Sequence, residues 1–435
     1  MEAPTNTLYL HEWTKIEPGP AGQGAVLQGL ELTDRDRAFL GQIEGTSSLE
    51  ITELRDGLSV SVGPHIGTIE LSSLRIVVLP KISISNLMKL IAYAFGLSDL
   101  SLTIPKNRQS TAEDGLADLL GIALLHAVER LVRSGLLPEY QPRYGDLGTP
   151  RGRIDMQAMA CRPPSATLPC RYEEFTADHR LNQCIAAGLR HAARMMSDPD
   201  LRIDLARGAD RFFGHIQRIQ LNGRVLRELV QGLDRRSSHY LDALYLVTLI
   251  YQGSCVSDHT RSGDALLSGF LLNMNLVFER FLERYLREAA GPGFEVVAQD
   301  VRHGVFRFLE NEAKWQSPYI QPDLVFRYRG TVVAVADAKY KNRLTHRPTS
   351  SDLYQLTTYG LAYDMPEPRE VLLLHPLGDG DRDRSSTVLF APPSMDQSVR
   401  IRLVGVPIDD ILRGDAEGWW PVSEVRTKRS VKGKR

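Results

Sequence analysis

Residues 319–341 (YIQPDLVFRYRGTVVAVADAKYK) set two apolar, β-branched and aromatic runs on either side of Arg329-Gly330. Runs of that composition around a glycine turn predict a β-hairpin, with strands over 323–328 and 332–340. Three charged groups interrupt the apolar pattern: Asp323 where the first strand begins, then Asp337 and Lys339 near the end of the second. Asp337 and Lys339 are two apart and leave the same face of the sheet. Register decides whether Asp323 joins them. A two-residue loop at Arg329-Gly330 sets Asp323 opposite Ala336, on the wrong face. A three-residue loop that takes in Thr331, with a bulge beside the glycine, sets it opposite Asp337. The bulged turn at 329–331 is the expectation on which a shared site depends.

In that register two carboxylates and an ammonium stand side by side, and the acids repel unless a cation sits between them. Hard oxygen ligands of this kind suit Mg²⁺, which takes one or two carboxylates, waters and phosphate oxygens. A lysine beside the ion orients a water or neutralises charge growing on a phosphate. Any one of these acids alone reads as an ordinary strand-end charge. Pro322-Asp323, a hairpin, then Asp337-Ala338-Lys339 is similar to the PD-(D/E)xK nuclease pattern.

The surroundings extend that pattern. Upstream, residues 271–286 predict a helix with a stripe of Val277, Phe278, Phe281, Leu282, Tyr285 and Leu286. Glu279 flanks the stripe, and Glu283 is expected on the wet side, paired with Arg280 or Arg287. In nucleases of this kind an acid from the preceding helix often completes the metal site, and the resemblance makes Glu279 that ligand. Downstream, a second helix is expected to open with Ser350 or Ser351 as its N-cap. Gln355 and Tyr359 share a face of it and resemble the Gln-x-x-x-Tyr pair of RecB-like nucleases. Residues 370–375 predict the next buried strand, giving the helix, strands, helix, strand order of an α/β core.

The rest of the 435-residue chain has room for further domains. Residues 1–105 look β-rich, with strands over 8–13, 57–62, 67–71 and 75–79 and a helix over 86–95. Residues 106–265 read as mainly helical, with helices at 112–136, 178–196, 221–233 and 240–251 and an irregular stretch over 140–169. Within that stretch Arg151 and Arg153 flank Gly152, a spacing that lets backbone and guanidinium approach phosphate together, or that simply makes a solvated turn. Residues 266–425 hold the hairpin, and 426–435 form a tail with six Lys/Arg, either solvated or an electrostatic DNA contact. The fold class expected is multidomain α+β: β-rich N-terminal domain, helical middle region and C-terminal α/β PD-(D/E)xK nuclease core.

Several absences narrow the function. No apolar stretch approaches the ~20 residues of a membrane span, and no basic-then-apolar leader opens the chain. Four cysteines without a C-x-x-C pair weaken zinc and iron–sulfur readings and, without a leader, point to a reducing cytoplasm. No phosphate loop of the G-x-x-x-x-G-K-[ST] type occurs, so nucleotide hydrolysis would fall to another chain. A net charge of −1 argues against a strong nonspecific grip on DNA.

With these pieces placed, the chain resembles the McrC family, the nuclease subunits of McrBC-type modification-dependent restriction systems. The resemblance rests on residues 76–82 (IVVLPKI), Arg151-Gly-Arg-Ile154 and Met274-Asn-Leu-Val-Phe-Glu279. The Asp323…Asp337-Ala-Lys-Tyr-Lys341 hairpin and Asp352-Leu-Tyr-Gln355 with Tyr359 complete it. It implies a McrB-like AAA+ GTPase hexamer that recognises modified DNA such as 5-methylcytosine in defence against phage. This chain would bind that ring through its N-terminal domain, stimulate hydrolysis and cut the double strand. Asp323, Asp337 and Glu279 would hold Mg²⁺, Lys339 would position water, and Gln355, Tyr359 and Lys341 would support the site. Two other readings compete: a stand-alone RecB-like repair nuclease, and a non-catalytic activator of a AAA+ ring.

Overall fold

The computed structural model describes residues 6–43, 49–82, 84–96, 115–256, 268–310, 312, 314–341, 347–377, 386–393, 397–416 and 418–422. The basic tail 426–435 lies outside them. The chain divides into two compact units, residues 1–108 with 255–435, and residues 109–254. The β-rich N-terminal part and the C-terminal core, expected as separate domains, thus belong to one unit. Among the described residues no helix is long and apolar enough to cross a membrane.

A six-stranded mixed sheet forms the C-terminal part of the first unit. Its order is Phe294–Ala298, Leu324–Tyr328, Thr331–Ala338, Arg369–Pro376, Val399–Val406 and Ser386–Phe390. The first three strands are antiparallel, the next two are parallel to Thr331–Ala338, and the last is antiparallel. Strand Arg369–Pro376 is central and parallel on both sides, so Val371 to Leu374 are all buried, as a strand covered on both faces requires.

Helix Ser350–Ala362 covers one face. Its N-cap is Thr349 rather than Ser350 or Ser351: the Thr349 hydroxyl accepts from the Asp352 N–H, and Asp352 accepts from the Thr349 N–H. Leu356, Tyr359 and Tyr363 pack on Val325, Val335, Val371 and Leu373. The helix approaches the sheet closely at Gly360, where a Cβ would stand 2.5 Å from Val399 Cγ1.

The helix Met274–Ala289 begins at an Asn273 cap, whose side chain accepts from the Asn275 N–H. It packs on strands Phe294–Ala298 and Thr331–Ala338 and on helix Ile84–Ala94. Covered from two sides, it has no wet face at Glu283. That residue is 4% exposed and ion-paired at 2.5 Å with both Arg280 and Arg287. The pairing matches expectation; the exposure does not.

In the N-terminal part a five-stranded sheet includes Asn6–His11, Leu74–Leu79, His65–Glu70 and Ser268–Asn273, the last contributed from beyond the second unit. A three-stranded sheet of Lys15–Ile16, Gly57–Val62 and Leu49–Leu54 and a helix Asp34–Ile43 enclose its core.

The second unit is built on helices Gly115–Ser134, Arg180–Met195, Pro199–Phe213, Gly223–Gln231 and Leu241–Gly253. The stretch expected to be irregular is instead a three-stranded sheet of Glu139–Leu147, Leu168–Thr176 and Arg153–Ile154. Tyr140, Tyr144 and Phe175 are exposed on it. With neither face fully buried, its sequence lacks the clean alternation that marks a strand.

Gly360→Val should drive a branched side chain into Val399 and Val371. The expected loss is about 1–3 kcal/mol, read from the midpoint of urea unfolding.

Candidate active site

The hairpin turn takes two residues, not three. Tyr328 pairs with Thr331, and Arg329 and Gly330 hold φ of 50° and 84°. Two successive positive values are the signature of a tight turn whose twist matches the strands. The extra residue enters further along: Arg327 pairs with Val332 and Phe326 with Ala334, leaving Val333 as a bulge. Its effect on phase shows in the core, where Val332 and Val335, three apart, pack in one cluster. Past the bulge Leu324 pairs with Ala336, so the next step sets Asp323 beside Asp337. The expected register is present, produced by a different device from the one expected.

Asp323 is fixed by two donors. Its Oδ2 accepts from the Ala338 N–H at 2.7 Å and its Oδ1 from Gln299 Nε2 at 3.1 Å. Gln299 is tied down in turn: its N–H donates to the Asp323 carbonyl at 2.9 Å, and its Oε1 accepts from Gln321 Nε2 at 2.8 Å. Asp337, 3% exposed, lies 3.0 Å from Lys339 Nζ. On the other side Gln355 Nε2 reaches Asp337 Oδ1 at 3.4 Å and the Tyr359 hydroxyl at 2.8 Å. That hydroxyl donates to the Gln321 carbonyl at 3.2 Å. One chain of polar contacts therefore runs from the helix through both acids to the end of the first strand.

The electrostatics are those of crowded acids. Burial and then the Asp337 charge push Asp323 up to about 7, against the pull of the Ala338 N–H, Lys339 and Gln299. Burial, Asp323 and Asp337 together hold Glu279 well above the usual carboxylate range. Burial works to lower Lys339, but Asp337, Asp323 and Asp352 outweigh it and keep the ammonium charged. Burial pushes the Tyr359 hydroxyl up to about 12, leaving it a donor at any ordinary pH.

The expected residues are therefore mostly gathered: Asp337, Lys339, Gln355 and Tyr359 are linked by direct contacts, and Asp323 and Glu279 lie within range of the Asp337 and Lys339 charges. Lys341 goes elsewhere, its ammonium 4.8 Å from the Trp13 ring centroid. Arg151 and Arg153 belong to the second unit and are exposed on its small sheet. Arg151 lies 5.0 Å over the Tyr172 ring, and Arg153 pairs with Arg171. Gly152 between them holds φ of 67°, with Arg171 O only 2.4 Å from where a Cβ would stand. Gln299 and Gln321 were missed by sequence reasoning. The only signal was the short apolar run ending at Ala298, which marks Gln299 as a strand terminus.

A divalent ion fits this donor set in part. Among the described residues no three His, Cys, Asp or Glu side chains form a ready ligand cluster. Asp323, whose proton affinity Asp337 raises, nevertheless offers together with Asp337 the one or two carboxylates that Mg²⁺ takes.

The sign of the Asp323 shift sets a pH dependence. Raised from 3.8 to about 7, the folded group keeps a proton that the unfolded chain releases across that window. Stability should thus fall as pH rises from about 4 to about 7, by on the order of 1–4 kcal/mol. Melting temperatures of metal-free protein over this range, compared with Asp323→Asn, check it: the variant should lose that part of the slope.

The sequence model of a family described as "McrBC 5-methylcytosine restriction system component" matches residues 60–376. No curated protein matches the chain. Among solved structures, one similar chain comes from a half-complex of Thermococcus gammatolerans McrB AAA+ hexamers with bound McrC. It has 18% identity and a TM-score of 0.42, over 94% of this chain and 99% of that one. A chain of the Thermococcus gammatolerans McrBC complex is 19% identical with a TM-score of 0.40, over 65% of this chain and 88% of that one.

Proposed function

Because this chain belongs to the McrBC 5-methylcytosine restriction system component family, we propose that it is the DNA-cutting subunit of such a system. The observation that carries the reading is the acid pair Asp323–Asp337 with Lys339 3.0 Å from Asp337, backed by Gln355 and Tyr359. On this reading the sheet and its two flanking helices are a PD-(D/E)xK core, and the reaction is hydrolysis of a phosphodiester in double-stranded DNA.

Asp323 and Asp337 would hold Mg²⁺, with Glu279 close enough to act through charge or a bound water. When bound, the ion would neutralise the scissile phosphate and acidify a water. Lys339 would orient the attacking water and meet the negative charge that builds on the phosphate oxygens. Gln355 would fix the carboxylate plane of Asp337, and Tyr359 would hold the strand carrying Asp323 through the Gln321 carbonyl.

The solved McrC chain is bound to McrB AAA+ hexamers, and a comparable ring is the partner proposed here. It would recognise modified DNA and hydrolyse GTP, work for which this chain has no phosphate loop. The chain's net charge of −1 fits a subunit whose substrate is delivered to it rather than captured by a basic surface.

Asp337→Ala should lower Mg²⁺-dependent cleavage by at least a thousandfold while ring binding and stimulated GTP hydrolysis persist. Assaying cleavage of modified plasmid with and without the ring protein checks this. Cutting by the chain alone, independent of nucleotide, would favour a stand-alone nuclease instead.

A further inference from the structure

We propose that Glu12 and Trp13 are positioning residues for Lys339: the turn after the first strand clamps Tyr340 and Lys341, and so fixes the lysine between them and Asp337. The inference rests on the reading of Asp323, Asp337 and Lys339 as the cutting site.

The strand carrying Asp337 leaves the sheet just where Lys339 must be placed. The Lys339 N–H makes its last ladder bond, to the Leu374 carbonyl at 2.9 Å. The Lys341 N–H then folds back onto the Lys339 carbonyl at 2.7 Å. Tyr340, only 4% exposed, must find backbone partners outside the sheet. Its N–H donates to Asn275 Oδ1 at 3.3 Å, and its carbonyl accepts from the Trp13 indole N–H at 2.9 Å. Its hydroxyl donates to Glu12 Oε1 at 3.3 Å, and its ring meets Phe278 edge-on at 5.8 Å. The Lys341 ammonium completes the clamp over the face of Trp13.

The clamp is costly in itself. Glu12 is fully buried, its Oε1 shared between Tyr340 and the Lys81 N–H at 3.0 Å, and its Oε2 has no hydrogen-bond partner among the described residues. Trp13 holds a φ of 59°, a left-handed conformation that a bulky side chain avoids. The Glu12 N–H on the Leu79 carbonyl and the Trp13 N–H on the Gly63 carbonyl keep it there. Neither residue belongs to the hydrophobic cluster of the N-terminal part. The Trp13 indole is spent on the strand end that carries Lys339, and Glu12 divides its carboxylate between that strand end and the Lys81 N–H. A strained Trp13 and a buried Glu12, both reaching the strand that carries Lys339, fit positioning.

Because a misplacement of about 1 Å can cost a hundredfold in rate, Trp13→Phe, which deletes the indole donor and keeps a smaller aromatic face under Lys341, should lower kcat at least tenfold at unchanged KM. Glu12→Ala should do the same. Glu12→Gln, which keeps an acceptor for Tyr340 and Lys81, should stay within twofold of wild type. A second readout needs no activity. In the full chain treated with acetic anhydride and analysed by mass spectrometry, Lys339 should acetylate at least fivefold faster in Trp13→Phe and Glu12→Ala than in wild type. The other lysines, apart from Lys341 on the Trp13 ring, should keep their rates. If Trp13→Phe does not accumulate folded, Tyr340→Phe, which removes the hydroxyl alone, should give the same differential labelling. Unchanged Lys339 labelling, or a uniform rise at every lysine with unaltered kcat, overturns the inference. Faster Lys339 labelling in a protein whose wild type and ring together cut no DNA leaves the clamp standing and removes the nuclease reading.

Discussion

Repulsion between two crowded carboxylates, buried Asp337 and half-buried Asp323, is the constraint around which the first unit is arranged. Asp323 and Asp337 share a face because the second strand sets Val333 out of the pairing as a bulge. The fold then invests heavily in keeping them together. A backbone N–H and Gln299 hold one acid, Lys339 and Gln355 the other, and Tyr359 closes the circuit through Gln321. Without a cation these contacts only partly offset the crowding, and the upward shifts of Asp323 and Glu279 record the remainder. On the proposed reading, a site left uncomfortable in this way would have its binding energy for a positive ion built in.

The parts of this arrangement visible in the sequence are those set by local periodicity. Alternation and a glycine turn announce the hairpin, and a four-residue spacing puts Gln355 and Tyr359 on one helical face. The bulge is not visible, because residues 332–336 are all apolar and a shift of phase leaves no mark on such a run. The register was therefore reachable only by asking which one brings the charges together, and that route led to the wrong turn. The Glu139–Leu147 and Leu168–Thr176 strands were hidden for the opposite reason, since exposure on both faces mixes polar and aromatic residues without rhythm. Glu283 was misplaced because a helix covered on two sides buries charges that a one-sided helix would show to water.

Nonlocal contacts were out of reach altogether. Nothing near Glu12 or Trp13 signals a partner more than three hundred residues away, and Lys341 looked like an accessory to the acid pair rather than a neighbour of Trp13. Such pairings depend on both ends of the chain entering one compact unit, which three consecutive domains would not have allowed.

That interleaving has a consequence for biosynthesis. Strand His65–Glu70 receives its neighbour Ser268–Asn273 only after the whole second unit has been made. Until then the nascent N-terminal part presents an open strand edge, the kind of surface that invites pairing with other chains. A ribosome halting anywhere before residue 268 would release a fragment with that edge unsealed. Completion of the amino-terminal sheet is thus timed by arrival of the segment that leads directly into the acid-bearing core.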